Sequence, residues 1–120
     1  MRLELGRPAD AIRAAALAHV DQRAREAVEA IRPSWLAPVD ALRAEQARLT
    51  LAGAADADQR ALPLREGVDP RGAAAEVLLA MEDTAARLLA VEAWRLATKR
   101  AIRGARTVQE MRMLAEGVMA

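Results

Sequence analysis

The side chains of this chain that could do chemistry are few. Nucleophilic catalysis needs a serine, cysteine, threonine or lysine activated by a neighbouring base. Here there is a single histidine, His19, a single serine, Ser34, and no cysteine. His19 sits beside Val20 in a helical pattern and reads as a helix-surface or interface histidine. Asp56 and Asp58 could bind a cation, but an acidic pair in a Gly/Ala-rich stretch reads as solvated loop. No glycine-rich phosphate loop and no zinc-spaced cluster occurs, so neither cofactor nor metal is expected, and the reading is non-enzymatic.

The remaining polar chemistry is cationic. Arg95, Lys99, Arg100, Arg103, Arg106 and Arg112 crowd the C-terminal third, although the formal net charge is only +1. Arg95, Lys99, Arg103 and Arg106 share a helical face that could meet phosphates. Glu92 and Glu110 flank them, however, and Trp94 alone is interleaved for base stacking. A solvated or salt-bridged face that helps to dock a protein partner is the preferred reading, and nucleic acid is not expected. Trp94 and Trp35 are the two aromatic residues, each either a core filler or an interface anchor. Leu62-Pro63-Leu64 is an apolar triplet among Gly, Asp and Ala. The residues expected to bind partners are therefore Trp35, Leu62, Pro63, Leu64, Trp94, Arg95, Lys99 and Arg103.

These residues must be positioned by helices. Ala, Leu, Arg and Glu dominate, and Phe and Tyr are missing, which favours helices over sheets. At 120 residues the chain is expected to form one all-α domain, a small helical bundle or extended helical hairpin of three to four helices with a long connecting loop. Pro8 suits a first helical position, and the following stretch to residue 32 has neither Gly nor Pro. Its seam is Leu17, Val20, Ala24, Ala27 and Ile31, with Asp21, Arg25 and Glu29 expected outside. Pro33 and Pro38 enclose a corner that holds Trp35. Helical spacing resumes over 39–52 through Leu42, Gln46 and Leu49, and Gly53 is a natural stop. The breakers between 53 and 70 read as a long connection anchored by Leu62-Pro63-Leu64.

Asp69-Pro70 is a cap followed by a first-turn proline, opening a helix over about 71–103. Its apolar row is Val77, Met81, Thr84, Leu88, Val91, Thr98 and Ile102, with Arg95 interrupting. Thr107 and Glu110 read as a capping box for a last helix over about 108–116. No apolar run approaches the roughly 20 residues of a membrane span. Met1-Arg2-Leu3-Glu4-Leu5-Gly6 is short and charged for a secretion signal, and the missing cysteines fit a reducing compartment, so a soluble chain is expected. Alanine-rich seams bury little area per helix, which predicts self-association into a homo-oligomer.

In order, these pieces resemble a group of small helical bacteriophage and prophage tail proteins encoded near tail-fibre and baseplate genes. The leading helix runs Ala11-Ile12-Arg13-Ala14-Ala15-Ala16-Leu17-Ala18-His19-Val20-Asp21 and continues to Ala30-Ile31-Arg32. A break, Ala41-Leu42-Arg43-Ala44-Glu45-Gln46-Ala47 and Leu62-Pro63-Leu64 follow. The most specific part is Val91-Glu92-Ala93 with Arg95, Lys99, Ala101-Ile102, Ala105 and Thr107-Val108 before Glu110. The chain departs from the group by carrying Trp35 and Leu62 where tyrosines stand. The resemblance implies a structural protein of the virion, assembled in the host cytoplasm, that acts as a helical adaptor on other tail proteins. Two other roles fit the same residues: a tail-assembly chaperone absent from the finished particle, and a small DNA-binding packaging or regulatory protein.

Overall fold

The computed structural model describes residues 2–53 and 69–119, with side chains from Pro8 onward. Leu62, Pro63 and Leu64, with Asp56, Asp58 and most of the expected 53–70 connection, lie outside the described residues. The fold is all-α: α1 (Arg2–Ile31), a 3₁₀ turn (Ser34–Leu36), α2 (Ala37–Leu51), α3 (Pro70–Gly104) and α4 (Val108–Ala115), with no strand among the described residues.

The helix ends follow local chemistry. α1 starts at Arg2, so Pro8 lies inside it and not at its first position. Leu3, Glu4 and Leu5 are good helix formers, and the helix runs through Pro8 despite the hydrogen bond lost with its N–H and the crowding of its ring against the preceding turn. At the other end Arg32 precedes Pro33 and leaves the helix, as the proline ring requires. A bidentate pair then fixes the corner: Arg32 donates from Nε to Asp40 Oδ2 at 2.9 Å and from its terminal nitrogen to Oδ1 at 2.6 Å. Pro38 is accommodated in the first turn of α2, where no backbone donor is needed. Gly53 closes α2 with φ of 77°, a left-handed conformation suited to glycine, and its N–H reaches the Thr50 carbonyl at 3.1 Å.

Asp69 caps α3, its Oδ1 accepting from the Gly72 N–H at 2.9 Å. Thr107 caps α4, its hydroxyl accepting from the Glu110 N–H at 3.1 Å. The return bond of the capping box runs from the Arg106 N–H to Glu110 Oε2 at 3.2 Å, one residue before the cap.

Where the sequence suggests one helical domain over 1–120, the chain groups into two compact units. The first joins Met1–Ala30 with Leu88–Ala120, and the second is Ile31–Arg87. In the first, α1, the C-terminal half of α3 and α4 enclose a core of Ala16, Val20, Ile102, Ala105, Met111 and Ala115. Val20, Ile102 and Met111 are the largest fully buried side chains, each contributing on the order of 1.5–3 kcal/mol of transfer free energy. Arg13 meets Ala105 while Asp21 meets Arg95, so α1 and this part of α3 run antiparallel.

In the second unit α2 departs from expectation. The buried positions are Ala44, Ala47 and Thr50, whereas Leu42, expected to face inward, is 65% exposed. Helix α2 is apolar on two faces, and periodicity alone does not rank them. The face of small residues is the one that goes inside, since alanine lets neighbouring backbone approach closely. Thr50 remains compatible with burial because its hydroxyl donates to the Gln46 carbonyl at 2.9 Å.

Candidate functional site

The densest polar cluster of the first unit forms where α1 faces α3. Asp21 lies next to the buried seam of Val20 and Ala24, so its carboxylate reaches across to α3 and does not pair outward with Arg25 as the sequence suggested. Lys99 Nζ donates to Asp21 Oδ1 at 3.0 Å and Oδ2 at 2.8 Å. Arg95 donates to the same Oδ1 at 3.1 Å and forks onto Glu92 at 2.9 and 2.7 Å. The Lys99 ammonium above all, with Arg95 adding to it, holds the Asp21 carboxyl below the usual carboxylate range, against the opposing effect of burial. Arg95 does the same for Glu92. The charge of each cation is thus matched inside the unit. A carboxylate held ionised in this way is a poor proton acceptor, and its two cations are poor anion receptors. Arg95 and Lys99, read from sequence as docking cations, are paired inside the unit, and Arg95 interrupts the apolar row because it faces Asp21.

Two further arginines of α1 do work that the sequence reading missed. Arg13 donates to the Ala105 carbonyl at 3.0 Å, at the end of α3. Arg23 donates to the carbonyls of Ala115 at 2.8 Å and Gly117 at 2.7 Å, at the end of α4. Each guanidinium satisfies carbonyls that have no intrahelical partner and complements the negative end of a helix dipole. The Arg23 guanidinium also lies over the Trp94 ring, 5.0 Å from its centroid, and Trp94 packs against the core. Trp94 is therefore a half-buried structural residue, not a free anchor. His19 Nε2 lies 3.0 Å from a Glu116 carboxylate oxygen, which again ties α1 to the end of α4.

Beside the cluster an open groove has an apolar floor of Ala24, Val28 and Val91 and a rim that includes Arg25, Glu92 and Arg95. No three His, Asp or Glu side chains gather in a metal-holding arrangement among the described residues. No described helix is long and apolar enough to cross a membrane.

The second unit offers a different kind of surface. Trp35 is 73% exposed, and Val39 and Leu42 are exposed with it. Trp35 stands in the 3₁₀ turn that leads into α2, and Val39 and Leu42 follow in the first two turns of that helix, three residues apart. Leu42 lies on the side of α2 away from the buried Ala44 and Ala47. Arg103, the remaining residue expected to bind partners, is exposed on α3 and enters no ion pair among the described residues. Comparison of the chain with protein-family models, with curated proteins and with solved structures found no match.

Proposed function

We propose that this chain is a non-enzymatic helical adaptor of a bacteriophage tail that docks on a tail-fibre or baseplate protein and remains in the virion. The observation that carries the docking role is the exposure of Trp35, Val39 and Leu42. A tryptophan with nearly three quarters of its surface in water, followed by two exposed aliphatic residues at the start of α2, suits a protein interface better than solvent. The tail setting rests on the resemblance of Val91-Glu92-Ala93, Arg95, Lys99 and the residues up to Glu110 to small phage tail proteins. Assembly as a homo-oligomer belongs to the same reading, since most buried apolar residues among those described are alanine and contribute little area per helix.

A role on DNA has less support. Arg95 and Lys99, which would have to reach phosphates, are engaged with Asp21 and Glu92. The experiment is mass spectrometry of particles purified from a host that expresses this chain. An adaptor is recovered in stoichiometric proportion to the tail proteins. Recovery from the lysate but not from particles would replace the adaptor with an assembly chaperone.

A further inference from the structure

Trp35 stands on a turn that burial does not hold in place. The 3₁₀ turn Ser34–Leu36 buries none of its three residues, and Trp35 itself is 73% exposed. So short a turn has weak hydrogen-bond geometry of its own. The backbone makes two bonds here, from the Leu36 N–H to the Pro33 carbonyl at 3.1 Å and from the Ala37 N–H to the Ser34 carbonyl. Pro33 and Pro38 restrict φ on either side of the tryptophan. The Arg32 fork onto Asp40 then joins the two ends of the corner, eight residues apart, so that Trp35 lies inside a closed loop.

The two charges of the fork answer one another. Asp40 is the one charged residue between Pro33 and Leu42, and both of its oxygens accept from Arg32. Hydrogen bonding from Arg32 holds the Asp40 carboxyl below the usual carboxylate range, and Asp40 in turn favours the charged guanidinium. Charges matched in this way have little to offer an ion on a partner. What the pair supplies is order: a loop already closed loses less conformational freedom when its central residue is captured. We propose that Arg32 and Asp40 are positioning residues for the Trp35 contact, holding the corner in its docking conformation before the partner arrives and acting through Trp35, not by ion pairing with the partner. The proposal rests on the docking role proposed above for Trp35 and adds the two groups on which that role depends.

The test compares the parent with Arg32→Gln, with Asp40→Asn and with the exchanged pair Arg32→Asp and Asp40→Arg, each in the full chain. Nitrogen-15 relaxation reads backbone order at Trp35 and Leu36. The parent is expected near the order parameter of about 0.85 that marks rigid backbone, and each single variant should fall toward about 0.6, with Trp94 unchanged as the internal control. Circular dichroism checks that every variant keeps its helicity. In assembled particles, a photo-crosslinking phenylalanine at position 35 reads docking as product with a tail-fibre or baseplate protein, per chain expressed. Each single variant should lower that yield about fivefold or more, and the yield of the exchanged pair should follow its order at Leu36. Full yield from a disordered corner overturns the proposal, and so do single variants whose corner stays ordered. An exchanged pair that restores order without restoring yield also overturns it, because the partner would then be reading the charges themselves. These three results leave the Trp35 contact standing. Absence of product from the parent, or product only with a second copy of this chain, would remove the docking role itself and the proposal with it.

Discussion

Lys99 donates to both carboxylate oxygens of Asp21, at 3.0 and 2.8 Å, across 78 residues of sequence. The Lys99 side chain is only 15% exposed and Asp21 is partly covered, so the pair is screened less than a surface ion pair. With the Arg13 bond to Ala105, it fixes the register of α1 against α3 in the first unit. The pair has an asymmetric backup: Asp21 retains the Arg95 hydrogen bond if Lys99 is removed, whereas Lys99 donates to no second carboxylate among the described residues and feels Glu92 only at a distance.

That asymmetry is measurable in urea denaturation. Asp21→Asn is expected to destabilise by roughly 1–2 kcal/mol, and Lys99→Met by less, because Arg95 still faces the carboxylate. The double variant should lose less than the sum of the two, with a coupling of about 0.5 kcal/mol or more. Strict additivity would mean that the two side chains do not depend on one another in solution.

The pH dependence follows from the same groups. Asp21, held by Lys99, Glu92, held by Arg95, and Asp40, held by Arg32, all have carboxyls below their ordinary values of 3.8 for the aspartates and 4.5 for the glutamate. In the range between folded and ordinary values the unfolded chain binds more protons, so stability rises with pH there. This stabilisation is fully present above the ordinary values and is lost as pH falls through the lower folded ones. Melting temperature should therefore stay level with respect to these three groups from neutrality down to about pH 5 and drop below about pH 4. Asp21→Asn should flatten part of that drop. An unchanged acid limb in the variant would remove Asp21 from the account.

Much of this arrangement was legible in the sequence, and the part that was not has a common cause. The apolar rows of α1 and α3 place Val20, Ala24, Val91 and Ile102 correctly, because helical period alone marks the inward side. Asp69, Gly53 and Thr107 mark helix ends through bonds to residues within four positions, which a linear reading can see. The bonds of Asp21, Arg13 and Arg23 span more than 70 residues, and no spacing rule announces such partners. Arg95 and Lys99 consequently read as part of a solvated or salt-bridged strip beside Glu92, and their partner Asp21 stays hidden. Leu42 failed for a different reason: α2 carries two apolar faces, and the face with the smaller side chains is the one buried.

Trp35, with Val39 and Leu42 beside it, is proposed to meet a tail-fibre or baseplate protein in the assembled particle. Replacing Trp35 with a photo-crosslinking amino acid, irradiating assembled particles and identifying the products by mass spectrometry tests it most directly. The expected result is a covalent product joining position 35 to a tail-fibre or baseplate protein, with a yield well above that from a probe at exposed Gln109. A yield at position 35 no higher than at Gln109, in particles that contain the chain, would contradict it.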